Sequence, residues 1–246
     1  MEGQNQKRAN GKGGIHYLMN TKNWWQPLLF ILIISLLGVG MIGFQTYNDA
    51  PPMSGFTTSR GEVVIDQARI ERGQEVFHKY ALMEYGAMFG DGAQRGPDFT
   101  AEALHEITLS MNRYYVGKFE EENQRPPTDR EVRVLESYTQ EELKKNLFDE
   151  EKNTVLLTDA QWTALRELEG FYIAKFTSTG KGAFPVLNYI SDEQELRDLS
   201  AFFFWGAWVC VAERPGSDFS YTHNWPYDPY AGNTATSPVI LWSVLG

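Results

Sequence analysis

The chain has 246 residues, 42% of them hydrophobic and 22% charged, which excludes a disordered protein and allows one large domain or two small ones. Its single cysteine, Cys210, excludes a disulfide framework and a cysteine-only metal cluster, and the lack of any CxxCH excludes covalent c-type haem attachment. Net charge is −10, divided as +3 over residues 1–23 and −13 over the remainder, and so acidic a body excludes nucleic acid as a partner.

Residues 24–44, WWQPLLFILIISLLGVGMIGF, carry no charge. About 20 apolar residues cross a bilayer core, so this stretch suffices for a membrane helix. Trp24 and Trp25 stand at one edge and Tyr47 at the other, as interfacial rings should. Pro27 falls in the first turn, where a missing N–H costs little. A cleaved signal peptide fits less well, because the apolar core is long and no A-x-A-like site follows. The basic flank predicts a cytoplasmic N-terminus in the inner (plasma) membrane, with the acidic bulk periplasmic or extracellular.

Beyond Pro51 and Pro52 the pattern is mostly helical. Glu62–Ile65 reads as a short extended piece. Residues 66–83 have helical spacing at Ile70, Val76, Phe77 and Ala81. GAMFGDGAQRGPDF, 86–99, holds four glycines and a proline and reads as a loop. Thr100 is placed to cap a helix through Leu104, Ile107, Met111 and Tyr114. Thr128 and Glu131 fit a capping box that opens the next helix. NTVLL, 153–157, reads as a strand. Thr158 caps a helix that turns Trp162, Leu165, Leu168, Phe171, Tyr172 and Phe176 inward. Ser191 and Gln194 repeat the capping pattern before FFFWGAWVCVA. Its apolar run, Ala201 to Ala212, is short for a membrane span and suits a buried helix. Cys210 within it reads as a small buried apolar residue. Another apolar stretch begins near Pro238. The predicted fold class is mainly α. Residues 1–23 form a basic cytoplasmic terminus, 24–46 a transmembrane helix, 48–235 an outer domain, and 236–246 the start of a second transmembrane helix.

Catalytic chemistry is not spelled out. His16, His78, His105 and His223 have no metal-binding spacing among them. Runs such as Glu120–Glu122 and Asp149–Glu151 read as solvated faces. No GxSxG, P-loop or dinucleotide fingerprint occurs.

Three stretches carry a resemblance. GQEVFHKYALMEYGAMFGDGAQRGPDF (73–99), ELKKNLFDEEKNTVLLTDAQ (142–161) and FFFWGAWVCVAERPGSDFSYTHNWPYDPYAGN (202–233) together resemble the N-terminal portion of the quinol-dependent nitric oxide reductases. The resemblance runs from the anchor to the end of the chain. It implies an outer domain with a cytochrome c fold that has lost its haem. The places of the lost CxxCH fall near Leu82, Tyr85 and Gly86. It also implies a catalytic transmembrane part of the haem–copper oxidase type, following in the same protein. That part holds haem b, haem b3 and a non-haem iron and takes electrons from quinol to reduce NO. Its ligands lie beyond Gly246, so no catalytic residue is assigned to this chain and its role is structural. One metal site carries over: calcium, at Gly92 and Gln94, where a glutamine oxygen stands in the place of a tyrosine. The lipid bilayer is a further partner, and a homodimer is compatible. Departures such as WPYDP at 225–229 indicate a divergent branch. They leave open a nitric oxide dismutase of the same architecture, which makes dinitrogen and oxygen. A third reading, of a different class, is an anchored accessory subunit without catalysis. The junction YTHNWPYDPYAGN, 221–233, is expected to lead from the outer domain into the helix near Pro238.

Overall fold

The computed structural model describes residues 24–90, 96–179 and 184–245. Residues 1–50 and 51–246 form two compact units. The first contains α1, Trp25–Asn48, a helix long and apolar enough to cross a membrane, with every described side chain outside any core. No polar face interrupts it, and Thr46 satisfies its hydroxyl on the carbonyl of Ile42 one turn back.

The second unit is a helical domain around a small sheet. Its elements are β1 (Gly55–Thr57), β2 (Val63–Ile65), α2 (Gln67–Lys79), a 3-10 turn at Leu82–Glu84, α3 (Phe99–Asn123) and α4 (Asp129–Lys144). There follow β3 (Phe148–Asp149), β4 (Thr154–Leu156), α5 (Asp159–Thr177), α6 (Glu193–Val211) and α7 (Ser237–Leu245). The mainly helical class expected from the sequence is what the fold shows.

Local chemistry explains most helix starts. Both Thr128 with Glu131 and Thr158 with Gln161 make complete reciprocal capping boxes. Two expected caps are displaced. Asp98 rather than Thr100 caps α3, accepting from the N–H groups of Thr100 and Ala101, and Asp192 rather than Ser191 caps α6, accepting from Gln194 and Glu195. In each case a nearby carboxylate outcompetes the hydroxyl, because its charge is favoured at the helix N-terminus. Residues 66–83 are not one helix either. Ala81 adopts φ 47°, so α2 ends at Lys79 and the chain turns into the 3-10 segment.

The strands are ordered β2-β1-β4-β3, with β1 and β4 parallel and the outer pairs antiparallel. Phe56 pairs with Ile65 on one side and Val155 on the other, and all three side chains are buried on one sheet face. Phe56 there meets the rings of Phe204 and Trp208 edge-on. The run Ala201–Ala212 is buried throughout, so it is the central core element rather than a span.

Phe203 of α6 stacks on Phe99 at 4.9 Å, and Phe77 and Tyr172 close around it. Gly73 lets α2 come down on α6: a Cβ there would lie 2.1 Å from the Asp198 carbonyl oxygen. Ionic ties flank this crossing, with Arg69 2.5 Å from Glu169 and Arg72 3.0 Å from Asp198.

The buried carboxylate of Glu142 joins three helices. It accepts from the Tyr115 hydroxyl of α3 and from the hydroxyl of Thr158, the cap of α5. Burial first, and then this bond to Glu142, push the Tyr115 phenol well above its ordinary value. Tyr172, fully buried, is raised chiefly by burial as well. In the unfolded chain both phenols ionise near pH 10. Their stabilisation is therefore complete below about pH 10 and is lost as pH rises beyond it. Denaturant titrations from pH 8 to 11 should show stability falling at the alkaline end, with a shallower fall in Tyr115→Phe. Equal slopes in the two proteins would contradict this.

Candidate functional site: the glycine loop and the aromatic junction

The fold brings two of the peculiar sequence stretches together. The glycine segment is closed at its base by backbone bonds, the Ala87 N–H to the Pro97 carbonyl at 3.0 Å and the Phe99 N–H to the Ala87 carbonyl at 2.8 Å. Glycine is required at this pinch: a Cβ on Gly96 would stand 1.3 Å from the Tyr85 carbonyl oxygen. Asp98 also accepts from the Gly90 N–H, and the Thr100 hydroxyl binds both Asp98 and the Phe89 N–H. Its carboxylate is thus committed to the loop and the helix cap.

Gly90 has φ 80°, and a Cβ there would sit 1.6 Å from Nε1 of Trp225. Trp225 belongs to the junction stretch, so the indole is seated against the bare backbone of the glycine loop. Gly90→Ala combines a left-handed backbone with a direct clash and should cost at least about 1–3 kcal/mol locally. Hydrogen exchange read by mass spectrometry should then show faster exchange across 220–236. Unchanged exchange there would show that the seat carries no weight.

The junction is held by its own polar groups. Ser220 and Asn224 exchange bonds, the Ser220 N–H to Asn224 Oδ1 at 2.9 Å and the Asn224 N–H to Ser220 Oγ at 2.8 Å. Asn233 Nδ2 donates to the Pro226 carbonyl at 2.8 Å, and Asp228 Oδ1 accepts from the Ala231 N–H at 2.9 Å. Trp225–Pro226 is a cis peptide bond. Two ties reach the helices. His105 Nδ1 of α3 lies 3.1 Å from Asp228 Oδ2, and Gln140 Nε2 of α4 donates to the Tyr230 carbonyl at 2.9 Å. By sequence His105 reads as an ordinary surface or core histidine. Its partner lies 123 positions away, so no local spacing signals it.

Gly92 and Gln94, the calcium expectation, lie outside the described residues. Among the described residues no group of three or more His, Cys, Asp or Glu could hold a metal ion. His78 is exposed and meets the Phe77 ring edge-on. Cys210 is buried, and burial pushes its thiol up to about 12, so it is inert at neutral pH.

The three positions matched to a haem attachment motif are packed. Leu82 is fully buried. The Tyr85 ring lies 4.8 Å from that of Phe184 and 5.5 Å from that of Tyr189. A Cβ on Gly86 would come within 2.4 Å of the Phe99 ring. None of the three offers a thiol, so no thioether tether can form, and aromatic rings crowd Tyr85 and Gly86. They do not fit a covalently tethered haem.

Compared with known protein families, residues 54–227 match the one described as the cytochrome c-like domain of the nitric oxide reductase NorB. A search of curated proteins finds no match to the chain.

Proposed function

The chain belongs to the NorB cytochrome c-like family of nitric oxide reductases, and from that premise we propose that it is the anchoring and covering segment of a quinol-fed, membrane-bound nitric oxide reductase. The full reaction would be 2 NO + 2 e⁻ + 2 H⁺ → N₂O + H₂O. Haem b, haem b3 and a non-haem iron in the catalytic transmembrane part supply the redox chemistry when bound. This chain's residues would position and shield rather than react.

The observation that carries this reading is the packing at Leu82, Tyr85 and Gly86. In a cytochrome c the matching places tether the haem; here Leu82 is buried and aromatic rings crowd Tyr85 and Gly86. The domain would then be a rigid cover rather than an electron carrier. The proposed division is a cytoplasmic terminus at 1–23, a membrane helix at 24–46, an outer domain at 48–235 facing the periplasm or cell exterior, and a second membrane helix starting within 236–246. Calcium at Gly92 and Gln94 is part of the same proposal. If it holds, Gln94→Ala lowers the calcium content of the purified full-length protein, and an unchanged content removes the site.

The decisive experiment supplies quinol and NO, without oxygen, to the full-length protein in membranes. Isotope-resolved gas analysis should show two NO consumed per N₂O. Oxygen release from NO would replace the reductase by the dismutase. Neither gas would overturn both.

A further inference from the structure

From Phe219 to Gly246 the sequence contains one formally charged side chain, Asp228. The fold turns it inward: Asp228 is 5% exposed, with its two oxygens held by the Ala231 N–H and by His105. Its neighbours do the opposite. Tyr227 is 58% exposed and Tyr230 is 51% exposed, whereas Pro226 and Ala231 on either side are buried. This outward pose does not come from a slack loop. The Asn233 amide holds the Pro226 carbonyl just before Tyr227, and the Gln140 amide holds the carbonyl of Tyr230 itself. The same charge-free stretch continues into α7, where Ile240, Leu241, Val244 and Leu245 are exposed.

An exposed surface normally carries its charges outward. Here the lone charge is withdrawn and two phenols and an apolar helix are presented instead. A tyrosine offers an apolar body and a hydroxyl tip, which suits the boundary between lipid tails and water. A buried, hydrogen-bonded Asp228 avoids the cost of placing an unpaired carboxylate near low dielectric.

We infer that Tyr227 and Tyr230 form a rigid membrane-contact platform, resting in the headgroup layer of a phospholipid bilayer beside α7 and fixing the height of the outer domain above it. The inference rests on the membrane-anchored reading of the chain but not on its NO chemistry. The junction loop is thus a bearing as well as a connector: the ties to α3 and α4 transmit the bilayer position to the helical core.

The test uses the full-length protein in phosphatidylcholine–phosphatidylglycerol vesicles. Cys210 is buried and unreactive, so a single introduced cysteine can carry a nitroxide label. Tyr227→Cys is the main variant, because Tyr230 also meets the His105 ring at 5.0 Å. Tyr230→Cys is the second variant, and Val134→Cys, at a site 63% exposed on α4, is the aqueous reference. Electron paramagnetic resonance then compares collision with oxygen, which concentrates in lipid, and with a water-soluble nickel chelate. The ratio of oxygen to chelate access should be severalfold higher at 227 and 230 than at 134. Equal ratios would overturn the inference, since the rings would then face water. A label shielded from both reagents would overturn it too, since protein rather than lipid would cover the rings. Because the readout is depth, a protein without NO turnover could still show the platform, and an active one could lack it.

Discussion

Gly73→Ala is expected to destabilise the outer domain, although alanine is the better helix former. The substitution favours α2 by about 0.5–1 kcal/mol through propensity. Against this, its methyl would stand 2.1 Å from the Asp198 carbonyl oxygen and 2.7 Å from Cβ of Phe202. Neither atom can rotate away, because one is backbone and the other is attached to it. The two helices must separate, and overpacking of this kind costs roughly 1–3 kcal/mol or more. Separation would also stretch the ion pairs of Arg69 and Arg72 with Asp198, whose N–O distances are 3.4 and 3.0 Å. The net loss should be about 2 kcal/mol, which lowers Tm by roughly 4–8 °C for a domain of this size. Calorimetry on the purified protein checks it. A Tm equal to or above that of the parent would mean that propensity, not the crossing, dominates.

The second large effect is expected at Glu142. The residue is 5% exposed, and no Lys or Arg among the described residues lies within ion-pair distance of its carboxylate. It is held instead by two hydroxyls, those of Tyr115 and of Thr158, the residue that caps α5. Glu142→Ala removes the acceptor that Tyr115 and Thr158 share and leaves a void among three helices. The expected loss is about 3 kcal/mol. Glu142→Gln retains the volume and one acceptor oxygen, so about 1 kcal/mol should suffice for it. A double-mutant cycle with Tyr115→Phe should show coupling, since the two groups share one bond. Additive losses would mean that the bond contributes little beyond packing.

The capping residues legible in the sequence share a feature: their deciding partners are near in the chain. Thr128 with Glu131 and Thr158 with Gln161 are three residues apart, and the backbone of a helix start brings such pairs together unaided. Asp98 and Asp192 displace the expected hydroxyl caps within the same local window, so stronger weight on carboxylates would find them. Of the sheet, only β2 and β4 are legible. Both are three-residue runs rich in β-branched residues, whereas β1, equally short, opens on a glycine and β3 has only two residues.

The candidate site divides along the same line. Its glycines and prolines announce two loops, but nothing local says that the loops touch. The Trp225 ring on Gly90, His105 on Asp228 and Gln140 on Tyr230 join residues separated by a hundred positions or so, and each depends on which faces the helices bury. The apolar helix near the N-terminus, the helical class, the buried Cys210 and the family can all be read along the chain, because composition, short-range periodicity and motif spelling are local properties. Packing alone makes Gly73 and Gly90 contact points, lets Glu142 bind three helices, and turns Asp228 inward while Tyr227 and Tyr230 face out. Those outcomes follow from excluded volume and from the cost of leaving a buried polar group unpaired, and both take effect only when distant segments come together.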